Sequence, residues 1–130
     1  MRCTFAGVGE AFDERLANTS LIIDHEDATL LLDCGFTAAA AAVAHGLDPA
    51  AVDAVVLSYF HGDHYLGLPW LLVRAIEEER SKELAVIGPE GVRAKVQDAM
   101  EMAYPGTLAR AGFELTFAES APGRTLAVAG

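Results

Sequence analysis

Apolar and polar positions divide the chain into short segments. Three apolar runs open it, at 2–8, 20–24 and 29–33, the last two separated by the acidic His25-Glu26-Asp27. Short aliphatic runs bounded by polar turns predict strands, here one strand followed by a hairpin. An alanine-rich segment, 37–45, stops at Gly46 and predicts a helix, with Thr37 as N-cap and Gly46 in the left-handed position past its end. Leu47-Asp48-Pro49-Ala50 predicts a further helical turn, and 54–58 a central strand. Residues 66–80 carry apolar positions at helical spacing with a charged tail. A strand at 84–87, a helix from Gly91 to near Tyr104-Pro105-Gly106, and a strand pair at 113–117 and 125–128 complete the pattern.

This order predicts an α/β fold in which helices cover a mostly buried sheet. Leu30-Leu31-Leu32, Val55-Val56-Leu57 and Ala85-Val86-Ile87 are apolar at consecutive positions, so each strand is expected to be buried on both faces. The predicted helices suffice for one face. A second sheet or a partner subunit is expected on the other, and the Leu-Ala-Val-Ala-Gly ending reads as a cut at a strand end, making 1–130 a single partial domain.

Composition narrows the function. A chain of 130 residues fits one domain, and its 52% hydrophobic content excludes a disordered one. No apolar run is long enough for a membrane span, so a soluble, cytoplasmic protein without membrane contact is expected. Acids outnumber bases 19 to 9, which argues against broad nucleic-acid contact. Arg74, Arg80 and Lys82 share their segment with Glu77, Glu78, Glu79 and Glu83, and are expected on a solvated helix face with internal ion pairs. Cys3 and Cys34 are too few for a disulfide framework and are expected as buried thiols.

The chemistry concentrates in Ser58-Tyr59-Phe60-His61-Gly62-Asp63-His64, directly after the central strand. Two imidazoles and a carboxylate within four residues, at the carboxyl end of a strand, suit zinc, with manganese or iron as alternatives. His25 and His45 are expected to be structural or solvated, and Tyr65 and Trp70 to pack in the core. Gly7-Val8-Gly9 lacks the third glycine of a dinucleotide fingerprint, and no Gly-x-Ser-x-Gly elbow occurs.

The loop resembles the H-x-H-x-D-H signature of the metallo-β-lactamase superfamily, with Tyr59 where the first histidine stands. Asp33-Cys34-Gly35, Gly67-Leu68-Pro69 and Ile87-Gly88-Pro89-Glu90-Gly91 resemble segments of its ribonuclease Z-like members. The resemblance implies an αββα sandwich of two βα halves, this chain being the N-terminal half, a mixed sheet with helices on one face. It implies His61 as a ligand of the first metal, and Asp63 and His64 as ligands of the second. Asp63 would also orient or deprotonate the attacking water, and Asp33 would support the loop by hydrogen bonds from behind. In such sites a metal-polarised hydroxide attacks a phosphoryl or carbonyl centre, and the remaining ligands would lie beyond Gly130.

Tyr59 leaves three readings open: a degenerate site, a one-metal site, or an unusual phenolate ligand. The resemblance implies a metal-dependent hydrolase, a phosphodiesterase or ribonuclease Z-like enzyme acting on a small-molecule or phosphodiester substrate. Phe36-Thr37-Ala38-Ala39 departs from the Glu-Gly-Thr-Gln of transfer-RNA-processing members, which leaves nucleic acid open as a substrate. The alternative is a degenerate or truncated homologue, a non-enzymatic module that completes its core as a homodimer or with a second half-domain.

Overall fold

The computed structural model describes residues 1–127. In chain order its elements are β1 (Arg2–Gly7), β2 (Ser20–His25), β3 (Ala28–Leu32), α1 (Ala38–Ala44), β4 (Ala54–Val56), α2 (Gly62–Tyr65), α3 (Leu68–Glu77), β5 (Leu84–Gly88), α4 (Val92–Ala103), a 3-10 turn (Thr107–Arg110) and β6 (Leu115–Glu119). One six-stranded sheet runs in the order β1-β2-β3-β4-β5-β6. The first three strands pair antiparallel and the last four parallel, so the sheet is mixed, as the α/β reading expected.

Register explains how the core forms. Ile22, Leu31, Val55, Val86 and Phe117 stand side by side across five strands and therefore share one face. Ile22, Leu31, Val55 and Val86 are buried there in a single cluster with Ala42 of α1, Leu71 and Leu72 of α3, and Val96 and Met100 of α4. Leu21, Ile23, Leu30, Leu32 and Val56 point to the opposite face, where they are half-buried and lie outside that cluster. The helices thus lie on one face of the sheet. The expectation of burial on both faces holds on the helix side and at Ile87, while the rest of the other side is a half-buried apolar surface.

Several local expectations change. Gly46 does take the left-handed conformation past α1, with φ 100°. Thr37, however, makes no side-chain cap bond; its hydroxyl accepts from the Asn18 amide at 2.8 Å. The helical turn expected from Leu47-Asp48-Pro49-Ala50 forms as a single turn, in which the Val52 amide donates to Asp48 O at 3.0 Å and the Ala50 amide to the Asp48 carboxylate at 2.8 Å. The segment at 66–80 is resolved into α3 alone, with Pro69 in its first turn, where a missing N–H costs nothing. The predicted closing strand pair is a single strand, β6, parallel to β5; 125–127 are not strand and Val128 lies outside the described residues.

Arg80 overturns the solvated-face reading. It is 2% exposed and its guanidinium donates to the carbonyl oxygens of Lys82, Pro49, Val52 and Glu83 at 2.6 to 3.0 Å. Arg74 keeps the expected pairing with Glu78 along α3. Cys34 is buried, and burial followed by the neighbouring Asp33 charge pushes its thiol far above the ordinary range. Cys3, expected buried, is exposed on edge strand β1. No helix among the described residues is long and apolar enough to cross a membrane.

Candidate metal centre

Two turns meet at the carboxyl ends of β3 and β4. After β3 the chain turns at Asp33, whose φ of 55° places a non-glycine residue in the left-handed region. Such a conformation persists only where surrounding bonds hold it. Here the Asp33 amide donates to Val56 O at 2.8 Å, and its carboxylate accepts from the Ser58 amide and the Ser58 hydroxyl, both at 2.7 Å. A carboxylate fixed this way ties the end of β3 to the start of the loop after β4.

The loop docks by backbone as well. Cys34 donates its amide to His64 O at 2.7 Å, and Gly67 donates to Cys34 O at 2.9 Å. Gly35 and Gly67 make this approach possible: a Cβ on Gly35 would sit 1.9 Å from Asp63 O, and one on Gly67 2.0 Å from Gly35 O. Both contacts are shorter than any side chain permits. The Asp-Cys-Gly and Gly-Leu-Pro segments are therefore two sides of one clamp around residues 61–64.

Inside the clamp, His64 Nδ1 stands 2.7 Å from Asp33 Oδ2, and the Ser58 hydroxyl lies 3.3 Å away. In the tautomer that donates Nδ1–H to Asp33, Nε2 is the free ring nitrogen. That nitrogen is 3.1 Å from Asp63 Oδ2. Both side chains are largely buried. A lone-pair nitrogen and a carboxylate oxygen at this separation repel unless a proton or a cation stands with them. Among the described residues no lysine or arginine pairs with Asp33 or Asp63.

The donor set fits a divalent cation: an imidazole nitrogen freed by a carboxylate behind it is the usual form of a histidine ligand. It fits as part of a site. No group of three His, Cys, Asp or Glu among the described residues stands close enough to hold an ion alone. His61 is exposed at the start of α2 and makes no side-chain cap bond. Tyr59 is 41% exposed and lays its ring against both imidazoles, 4.7 Å from His61 and 4.2 Å from His64 between centroids. Of the residues singled out in the sequence, Asp33, Asp63 and His64 converge, and Tyr59 lays its ring against His64 and the exposed His61.

Sequence reasoning did not assign Ser58 a role, although its amide and hydroxyl both bind Asp33. The available signal was its place at the end of the central strand, immediately before the loop. Tyr65 and Trp70 pack against the core cluster, Tyr65 edge-on to Phe60 at 5.7 Å, as expected for core aromatics. His25 and His45 are exposed and remote from the clamp.

Comparison with known proteins places this geometry. The family described as Anti-Pycsar protein Apyc1 matches residues 1–102. Ribonuclease Z of Methanococcus maripaludis is 30% identical over 105 residues, which cover 80% of this chain and 34% of that protein. Ribonuclease Z of an Exiguobacterium species is 30% identical over 126 residues, covering 96% and 40%. In fold, the chain is similar to the short form of human tRNase Z, with TM-score 0.76 and 24% identity over 90% of this chain and 44% of that one. It is also similar to the metallo-β-lactamase fold protein YhfI from Bacillus subtilis, with TM-score 0.70 and 22% identity over 96% and 48%. The chain spans between a third and two fifths of the curated relatives' length, and the mixed sheet with helices on one face corresponds to half of the structural neighbours.

Proposed function

The chain belongs to the family described as Anti-Pycsar protein Apyc1 and is a ribonuclease Z-like member of the metallo-β-lactamase superfamily, and from that premise we propose that it is the ligand-bearing first half of a metal-dependent phosphodiesterase. The observation that carries this reading is the approach of His64 Nε2 and Asp63 Oδ2 to 3.1 Å, with Asp33 fixing the imidazole from behind. An anti-Pycsar role, the one for which the family is named, is proposed with it.

Zinc, or manganese or iron in its place, would be held by His64 and Asp63, with His61 turning inward as the ligand of a neighbouring ion. A divalent cation there supplies positive charge to a phosphoryl oxygen and to the attacking water. The chain's own residues do the rest. Asp63 orients the water and takes its proton, Asp33 keeps His64 in the tautomer that presents Nε2, and Ser58 keeps Asp33 in place. Tyr59 contributes a ring that shields the imidazoles.

The flat apolar face of Leu21, Ile23, Leu30, Leu32 and Val56 supports a second βα layer over this sheet, from a second half-domain or a second copy of the chain. It equally supports the non-enzymatic reading, a module that pairs through this face without turnover. Metal content by plasma mass spectrometry, with molar mass by light scattering, separates the two. Bound zinc or manganese near stoichiometry and hydrolysis of a phosphodiester such as bis(p-nitrophenyl) phosphate are expected; a metal-free dimer would sink the enzyme reading.

A further inference from the structure

Beside the clamp lies an apolar surface that the proposed chemistry does not use. Phe36 follows Gly35 in the turn before α1 and is 54% exposed; Leu66 follows α2 and is 38% exposed. The two meet over Gly62, where a Cβ would lie 2.9 Å from Leu66 Cδ1 and 3.6 Å from Phe36 Cδ1. Gly62 sits between His61 and Asp63. A phenyl ring, a leucine and a bare Cα therefore form one continuous apolar step against the residues that would hold the metal.

We infer that Phe36, backed by Leu66 and Gly62, is a platform for a flat aromatic group of the substrate, so that the site selects aryl or heteroaryl phosphate esters over alkyl ones. The inference rests on the phosphodiesterase reading and names its substrate class. A large exposed apolar side chain next to a polar, cation-suited cluster is the composition of a small-ligand site, where apolar walls bind and a few polar groups orient. The platform is two side chains wide, far below the ~800 Å² per partner of a stable protein interface, so a small ligand fits it better than a protein. An aromatic ring offers an offset-stacked or edge-to-face partner to another ring, and an alkyl ester cannot match that contact. A phosphoryl group on the cation side would place its ester substituent along this step.

The test is binding by the full chain in the presence of zinc, with phenyl phosphate and methyl phosphate as probes, by titration calorimetry. Phenyl phosphate is expected to bind at least about fivefold tighter than methyl phosphate. Phe36→Ala should bring the ratio to within about twofold while leaving methyl phosphate unchanged; Phe36→Tyr should keep the preference, and Leu66→Ala should lower it in part. Phe36 and Leu66 are too exposed for these changes to threaten folding. A ratio near one in the native chain, or one that survives Phe36→Ala, overturns the platform. If methyl phosphate still binds with zinc in that case, the metal-site reading stands without it; if neither ester binds, both fall.

Discussion

The two ends of the parallel sheet treat buried carboxylates in opposite ways. At the amino ends of β3, β4 and β5, Asp53 meets Lys82 at 2.5 Å, accepts from the Thr29 amide at 2.8 Å and lies in the field of buried Arg80. At the carboxyl ends, Asp33 and Asp63 face one imidazole, with no lysine or arginine paired to them among the described residues. The chain thus supplies its own cations where it needs a structural lock, and leaves acceptors without them where an outside cation would bind. Charge pairing locates the candidate site more sharply than the presence of a carboxylate does, since both ends carry one that is largely buried.

The largest expected effect breaks the paired end. Arg80→Ala removes five donors and leaves four loop carbonyls without their partner in a buried place, which should cost about 3 kcal/mol or more of folding free energy. Arg80→Lys should recover only part of it, because an ammonium cannot span the same fork of acceptors. Urea unfolding measures the loss. Zinc affinity of the folded fraction should not change, and a parallel fall would mean that the two ends are coupled.

Next comes the unpaired end. In Asp33→Asn the amide nitrogen would face His64 Nδ1 as a donor and push the ring proton to Nε2, the atom meant for the metal. Zinc affinity should fall about 10- to 100-fold by calorimetry. Ser58→Ala removes one bond to Asp33 but keeps the tautomer, so its loss should be smaller. Equal losses in the two variants would mean that loop rigidity matters and the tautomer does not.

Much of this contrast is legible in the sequence, but unevenly. The strand runs, the helix stop at Gly46 and the loop with His61, Asp63 and His64 are local patterns, set by side-chain periodicity and backbone freedom. Arg80 reads as solvated because it follows a charged helix tail; two of its four acceptors, Pro49 O and Val52 O, lie 31 and 28 residues away in sequence, and no local pattern records them. The same holds for Ser58 with Asp33, 25 residues apart in sequence. β6 was placed correctly to within two residues, yet its partner and direction depend on β5, and alternation alone does not separate a parallel edge strand from a hairpin.

A smaller effect sharpens the paired end through pH. Burial works to raise the Asp53 carboxyl, but the bond from Lys82, the Thr29 amide and the Lys82 and Arg80 charges outweigh it and hold the group below its ordinary value of 3.8. The folded state therefore binds the proton less readily than the unfolded state. The stabilisation is complete above the unfolded value and is lost as pH falls through the lowered folded value. Asp53→Asn should cost about 1 to 2 kcal/mol at pH 7 by urea unfolding, and the gap from the native chain should close as pH falls through the lowered value of the folded state. A gap that persists at low pH would assign the effect to the shape of the amide group instead of the charge.

The smallest expected effect bears on the residue that covers the unpaired end. Tyr59 touches both imidazoles through its ring, and nothing in that contact uses the hydroxyl. Tyr59→Phe should therefore leave zinc affinity within about twofold, because the stacked ring is retained. A fall of tenfold or more would identify the phenolate as a ligand, the one reading of Tyr59 that requires the hydroxyl. Tyr59→His then separates the other two. It exchanges the shielding ring for an imidazole on the same face as His61 and His64, so tighter zinc binding would mean a working site lacking one ligand. With no gain in His and no loss in Phe, position 59 would be a cover over the imidazoles, and the affinity of this end would owe nothing to it.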